Sequence, residues 1–467
     1  MTAALARRNG ELGFWLASAA DDRPRFPTFS GRDAFDLAIV GGGFTGLWAA
    51  YFAKKLDPSL SVAVFEAERL GYGASGRNGG WVSALVPGNR ARFAKASPQG
   101  RAASIALQRE FIDSVDSLLG ILALEGINAD QAKGGSLSAA HTEAGMSRLL
   151  AKRQSDLLYG LTPEEVSVLT RAEFQAEIAI DGVHGGLFYK DVARINPAEL
   201  VFGLARVVSG MGVSIFEGSR VESAVDRRLV LEAGEAEADR TFICTEGYSG
   251  PLLGQRRIIP INSSMIVTQP LDDDVWQEIG WLGSQCLNDS AHTFIYAQRT
   301  ADDRIAIGGR GAPYRFASGT GGEGGTAEST VQQLLGKLRT FFPGVHFEAD
   351  HAWSGVLGVS RDWNGGVSWD PVRGIGSSVG YAGHGVTSAF VGGRTLAELA
   401  LGYDSPRTRL PWVGYSARDW EPEPIRWVGV HAMYRLFGIA DAWEERRGSS
   451  RTSLLASFGS RLAGLHE

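Results

Sequence analysis

Three glycines, Gly41, Gly43 and Gly46, stand in G-x-G-x-x-G spacing directly after residues 37–40, a short apolar run with two β-branched side chains. Such a run reads as a buried strand of a parallel sheet. Residues 47–56 follow without a helix breaker and read as helix. In that context Gly41 permits the tight turn, Gly43 leaves room for a pyrophosphate against the backbone, and Gly46 lets helix and strand pack closely. The helix N-terminus offers N–H groups and a partial positive charge to phosphates. A second strand, residues 61–65, ends in Glu66, where an acid about 20 residues on is expected to meet the adenosine ribose hydroxyls. Strand, turn, helix, strand and acid in that order predict a dinucleotide-binding unit.

Two other glycine-rich stretches have the composition to touch the same ligand. Residues 69–80 (RLGYGASGRNGG) form a loop whose small residues let a cofactor lie across the backbone. Residues 380–388 (GYAGHGVTS) run into a helix at 389–401, and the N–H groups of such a turn face an electron-rich oxygen. A shorter turn, residues 246–250, closes the strand at 241–245.

The elements that position these turns alternate. Residues 1–34 read as an N-terminal arm with Pro24 and Pro27. Residues 35–97, 186–257 and 346–402 read as three parts of one nucleotide-binding domain. Residues 98–185 read as a helical insertion, with helices at 98–125, 141–160 and 163–178. The first of these carries Leu107, Phe111, Val115, Leu118 and Leu122 at helical spacing. Within 186–257, a helix at 198–210 and a strand at 213–217 precede a small meander that returns to the sheet. Residues 258–345 change to long strands, an antiparallel sheet closed by a helix at 328–341, and predict a second, α+β domain. Residues 403–467 form a tail rich in aromatics, Arg and Glu, which folds back on its own domain or meets a membrane surface or another subunit. The loop at 318–326 has the composition of a mobile connector. The fold class expected is α/β, a discontinuous Rossmann-like domain with a second domain built on an antiparallel sheet.

The 467 residues suffice for two domains, and 44% hydrophobic with 21% charged residues is ordinary for a globular protein. A net charge of -6 argues against nucleic acid as the main partner, because phosphate binding needs a basic face. Two cysteines, Cys244 and Cys286, give neither a disulfide framework nor a metal site and fit a reducing cytoplasm. No apolar run reaches the length of about 18 residues that a transmembrane helix needs.

Four blocks together resemble the FAD-dependent amine and amino-acid oxidoreductases of the D-amino-acid oxidase superfamily, which includes glycine oxidase and sarcosine oxidase. They are AIVGGGFTG at 38–46, GASGRNGG at 73–80, DRIAIGGRG at 303–311 and GYAGHGV at 380–386. The GRNGG loop and the tail block most resemble the branch containing gamma-glutamylputrescine oxidoreductase. The resemblance implies noncovalent FAD. Phe44, Thr45, Ala67 and the loop residues Ser75, Gly76, Arg77, Asn78 and Gly79 would line pyrophosphate and flavin. Val221 would touch the adenine region. Thr245, Gly247 and residues 383–387 (Gly383, His384, Gly385, Val386, Thr387) would face the flavin. Such enzymes take hydride from the carbon bearing an amine, deliver it to flavin N5 and release an imine that hydrolyses to a carbonyl. Oxygen or another acceptor then removes the electrons, and a homo-oligomer is compatible with the chain.

The chain also departs from sarcosine-oxidase-like members. Thr387 stands where they carry a lysine that pairs with the substrate carboxylate, and Ala306 where they carry an oxygen-activating lysine. Their flavin-tethering cysteine has no counterpart near residues 353–358. A simple α-amino acid held by that lysine is therefore disfavoured. Since the flavin carries the chemistry, no acid–base triad is expected. The substrate-side candidates are Arg310, aligned with an active-site histidine of those members, and Tyr296. Trp353 and Trp363 are candidates to wall the pocket, where their faces suit a cationic amine. His384 would meet the flavin edge through its backbone. A flavin monooxygenase reduced by NAD(P)H, or a flavoprotein subunit that needs a partner, remain the competing readings.

Overall fold

The computed structural model describes residues 6–254, 256–309, 311, 313–447, 452 and 459. Strands and helices are numbered in chain order. Among the described residues two large sheets organise the chain. The first has its centre in β12 (Gly234–Ile243), β2 (Gly31–Val40), β3 (Val62–Phe65) and β9 (Ser214–Phe216), all mutually parallel in that order. β19 (Ile375–Val379) also runs parallel to β12 and carries β18 (Gly366–Asp370) as an antiparallel edge. A meander of β10 (Val221–Val225) and β11 (Arg228–Leu231) leads antiparallel into β12.

The β2 residues alternate between two cores. Leu37 and Ile39 pack beneath the helices α2 (Phe44–Leu56), α7 (Pro197–Gly210) and α11 (Gly385–Ala400), while Ala38 and Val40 face the meander with Phe29 and Phe65. A strand apolar on both faces belongs in the middle of a parallel sheet.

The second sheet has nine strands. Its order is β1 (Ala6–Asn9), β17 (Ala349–Val359), β13 (Ile259–Thr268), β16 (Ile305–Gly309), β15 (Tyr296–Arg299), β14 (Cys286–Asp289), β5 (Ser136–Ala140), β7 (Gly185–Tyr189) and β6 (Val166–Thr170). All neighbours are antiparallel except β1 with β17 and β14 with β5. One face buries Ile266, Ile305 and Ile307 beneath α9 (Asp273–Ile279) and α10 (Glu328–Phe341). The other shares a core with the nucleotide-type helices through Met265, Ala306 and Trp353. A small pair, β4 (Trp81–Ser83) with β8 (Val192–Arg194), bridges the two.

Local chemistry sets most helix starts. Asn89 caps α3 (Arg90–Ala96), Thr142 caps α5 (Glu143–Leu158), and Asn196 with Pro197 starts α7. The long helix α4 (Arg101–Leu124) lies within the predicted span and buries Leu107, Phe111, Val115, Leu118 and Leu122. Short α1 (Phe14–Ser18) and α8 (Gly250–Leu253) flank the sheets, and α12 (Ile425–Arg447) follows the tail segment.

Several expectations are corrected. The helix predicted at 163–178 divides into β6 and the short α6 (Arg171–Glu177). Val166 and Val168 favour the strand, and a Thr170–Glu173 capping box restarts the chain as helix. The region 98–185 is not wholly helical, because it supplies β5 and β6 to the nine-stranded sheet, and β7, which opens the segment 186–257, joins that sheet rather than the nucleotide-binding one. The segment 346–402 divides likewise: β17 joins that sheet, while β18, β19 and α11 join the other. The arm is tied in through β1. The loop 318–326 is pinned as well, since Glu323 O accepts from Leu12 N (2.8 Å), Gly324 O from Ser354 N (2.6 Å), and Thr326 N donates to Asn9 Oδ1 (2.9 Å).

Candidate functional site

A cavity of about 780 Å³ runs between the two sheets. At one end Gly41 turns with φ 111°, where a side chain is strained, and a Cβ there would sit 2.6 Å from Cys244 O. Gly46 is closed off completely: its Cβ would lie 2.1 Å from Gly41 O and 3.0 Å from Ile39. It packs helix against strand, as its spacing predicted, and does not border the cavity.

Gly43 precedes α2 without a side-chain cap, and Gly43, Phe44 and Thr45 line the cavity. α11 starts the same way after His384, again with no side-chain cap, and His384, Gly385 and Val386 line the cavity from the other side. The two helices touch through Gly393, where a Cβ would be 2.7 Å from Ala49 N. Two helix N-termini thus converge on one space. Each brings N–H groups with a partial positive charge.

Glu66 lines the cavity at the end of β3, its Oε2 accepting from Gly42 N (2.8 Å) and its Oε1 from Glu68 N (3.0 Å). Burial pushes its carboxyl group up, and these two amides oppose that rise. Ala67 and Val221 line the same end, with Arg220 and Glu222 beside them.

The loop at 73–80 is rigid rather than loose. Asn78 Nδ2 donates to Ala74 O (3.1 Å) and Ser75 O (3.0 Å), its Oδ1 accepts from Gly80 N (2.7 Å), and Ser75 Oγ accepts from Phe44 N (2.9 Å). Two indoles hold the loop from behind: Trp15 Nε1 donates to Asn78 O (2.9 Å) and Trp353 Nε1 to Arg77 O (3.0 Å). Ser75, Arg77, Asn78 and Gly79 line the cavity. Gly76 does not, because its Cβ would lie 2.3 Å from Gly71 O. The Arg77 guanidinium is buried, stacks on the Tyr72 ring at 4.7 Å and donates through Nε to Tyr72 O (2.6 Å).

At the far end Tyr296 lies between Gly79 and Gly308, either of whose Cβ atoms would strike its ring, at 2.8 and 2.3 Å. Its hydroxyl shares a hydrogen bond with Ser263 Oγ at 2.9 Å. Phe294, Trp363, Trp81 and Leu357 complete this end. Trp363 walls the cavity as expected.

Trp353 does not wall it. It is fully buried against Phe14 and Trp15, and only its loop-holding hydrogen bond reaches toward the site. Thr387 also turns away, its Oγ1 accepting from Ser83 N (3.1 Å) and so fixing β4. Thr245 lines the cavity, whereas Gly247 lies outside it and packs on Val356. Arg310 lies outside the described residues. Sequence reasoning missed Trp81, Ser263 and Glu246. The first two sit on strands far apart in the chain, and Glu246 looked like one residue of a small-residue turn. Among the described residues no cluster of His, Cys, Asp or Glu is suited to a metal ion.

A parallel sheet with a glycine turn, an acid at the end of the next strand and two converging helix N-termini defines a dinucleotide-binding fold. The chain belongs to the DAO family of FAD-dependent oxidoreductases, whose pattern matches residues 36–399. It is similar to the probable oxidoreductase OrdL of Rhizobium meliloti (strain 1021), at 28% identity over 418 residues, covering 83% of this chain and 88% of that one. Gamma-glutamylputrescine oxidoreductase of Escherichia coli (strain K12) is 26% identical over 418 residues with the same coverage. The fold matches the crystal structure of glycine oxidase from Geobacillus kaustophilus, with a TM-score of 0.67 at 19% identity, covering 80% of this chain and 96% of that one. The cofactor is FAD, and the donor set fits it. Cβ-free turns at Gly41 and Gly43, two helix N-termini without side-chain caps and a carboxylate offer the kinds of donor and acceptor that phosphates and ribose need.

Proposed function

We propose that this protein oxidises a primary or secondary amine, with FAD held across the cavity from Glu66 to Tyr296. What carries the reading is the convergence of the α2 and α11 N-termini on one cavity whose far end is walled by Tyr296, Phe294, Trp81 and Trp363. When bound, FAD supplies a hydride acceptor for the carbon bearing nitrogen, and the imine so formed hydrolyses to a carbonyl.

In this reading Glu66 binds the ribose hydroxyls, and the amides at Gly43, Phe44 and Thr45 face the pyrophosphate. Val221 meets the adenine. The backbone from Gly383 to Val386 faces the flavin. Asn78 keeps the GRNGG loop rigid, so that the backbone at Asn78 and Gly79 would line the flavin. Tyr296, fixed by Ser263, orients the amine, and the faces of Trp81 and Trp363 suit its positive charge. Trp353 serves by holding the loop. The name of the E. coli relative makes a polyamine-like amine the first substrate to try. Cys286 is buried in the sheet and burial raises the Cys244 thiol, which agrees with noncovalent FAD. Among the described residues no helix is long and apolar enough to cross a membrane.

The test is anaerobic. Purified holoprotein is mixed with glycine, sarcosine, D-alanine, putrescine, gamma-glutamylputrescine and N-alkyl amines while the flavin absorbance is followed. Bleaching by one of them supports the reading, and admitting air then separates oxidase from dehydrogenase. Bleaching by NADPH and by no amine refutes it.

A further inference from the structure

Of the cavity-wall carboxylates outside the scheme above, Glu246 is part-buried, whereas Glu68 and Glu222 are exposed. Glu246 follows β12, and its backbone takes φ 44°, the left-handed region that favours glycine. Its side chain borders the cavity. The two carboxylate oxygens are used separately: Oε2 accepts from Gly380 N at 2.8 Å and Oε1 from Tyr381 N at 3.0 Å. Behind it, a Cβ on Gly358 would come within 2.8 Å of its carboxyl carbon. What offsets its burial among the described residues is the set of main-chain amides at Gly380, Tyr381 and Gly358. The titratable side chains around it are Tyr381, on the turn it grips, and Cys244 and Tyr248, on its own segment, and each is held neutral by burial. A strained backbone and a part-buried carboxylate are two separate costs, and glycine at this position would remove both.

The grip leads directly to the cofactor. Gly380 and Tyr381 begin the turn that continues through Gly383 (φ 107°) into the start of α11. The Tyr381 hydroxyl bonds Thr45 Oγ1 at 3.0 Å and donates to Ser378 Oγ at 2.8 Å. The same residue thus ties the start of α11 to the first turn of α2. We propose that Glu246 is a positioning residue for the flavin: its carboxylate braces the turn 380–385, sets both helix N-termini against the cofactor, and couples FAD affinity to pH. With both oxygens free to accept, both amides are held. A proton on one oxygen turns it into a donor and a much poorer acceptor, and slackens the turn. The inference rests on the FAD site and is independent of what the enzyme oxidises.

The experiment titrates FAD into apoprotein, without amine, at pH 8.5 and pH 5.5. The samples are the native protein, Glu246→Gln and Glu246→Gly, and the midpoint potential of the bound flavin is read in parallel. Native affinity is expected to fall ~10-fold from pH 8.5 to pH 5.5, the loss of one charge-assisted hydrogen bond. Glu246→Gln is expected to show the weaker affinity at both pH values, and its potential to lie above the native one at pH 8.5 and to match it at pH 5.5. Glu246→Gly relieves the backbone, so it folds at least as well, yet it binds FAD more weakly than Glu246→Gln. Native-like affinity and potential in either variant at pH 8.5 overturn the proposal. Failure of every amine to bleach the flavin leaves these readings intact and refutes only the substrate assignment.

Discussion

The two ends of the cavity are built on different principles. At the Glu66 end most of the ligand-facing groups are main-chain amides and the Glu66 carboxylate, drawn from residues 41–75 of a single strand–turn–helix–strand unit, with residues 220–222 closing its edge. At the Tyr296 end the groups are side chains from β13, β15 and β4 and from loop residues such as Trp363, brought together from across the chain. Backbone amides tolerate almost any side chain but no change in chain path. Side-chain walls tolerate small changes and set selectivity. The first end should therefore fail abruptly when its glycines change, and the second should change by degrees.

The largest effect is expected at Gly46. Gly46→Val places carbon where Gly41 O already sits, so the strand–helix junction must separate. We expect loss of flavin and a destabilisation of at least ~3 kcal/mol, read by flavin content after purification and by thermal unfolding. Native flavin content in this variant would remove the distinction between the two ends.

Glu66→Gln should weaken FAD by ~10- to 100-fold, the worth of a charge-assisted hydrogen bond, and leave turnover at saturating FAD unchanged. Fluorescence titration with FAD checks the first part. A fall in saturated turnover would show that the acid acts on the substrate end.

Glu246 joins the two ends, and its stability signature has a definite sign. Burial raises its carboxyl group from 4.5 to about 7, against the pull of the Gly380, Tyr381 and Gly358 amides. The folded chain therefore keeps a proton that the unfolded chain gives up. The related stability is complete below pH 4.5 and is lost as pH rises through about 7. Glu246→Gln stays neutral throughout. The apoprotein of this variant should match the native one at pH 5 and exceed it by about 2 kcal/mol at pH 9, a figure trimmed for water entering the open cavity. Urea unfolding at the two pH values measures it, and an equal difference at both would refute the assignment.

The smallest effect is expected at Tyr296→Phe, which loses only the bond to Ser263. A cost near ~1 kcal/mol should appear as a several-fold rise in KM for the amine with FAD affinity unchanged. Steady-state kinetics and FAD titration separate the two. A change in FAD affinity as large as that in KM would mean that the ring supports the cofactor through Gly79.

These differences explain which residues could be read beforehand. Gly41, Gly43, Gly46 and Glu66 were legible because their roles follow from spacing along a continuous chain. The GRNGG loop was legible from composition, although its rigidity required Asn78, Trp15 and Trp353 to meet it. Trp353 was read as a pocket wall because its ring type suits an amine, and pairing between β17 and β13 put it in the core instead. Thr387 was counted with the flavin turn, but helical geometry rotated it onto Ser83.

The sequence by itself determined the nucleotide-binding unit, the family and the alternation of parallel and antiparallel regions. Each of these follows from local steric rules and short periodicities. Only the tertiary structure decided that the arm would lend β1, the helical region β5 and β6, and the start of the segment 186–257 β7 to the second sheet. It also decided that Tyr296 would rest on Gly79, and that Glu246 would reach across to residues 380 and 381. Those contacts join positions more than 100 residues apart in most cases, and no period in the chain encodes which distant surface will be complementary.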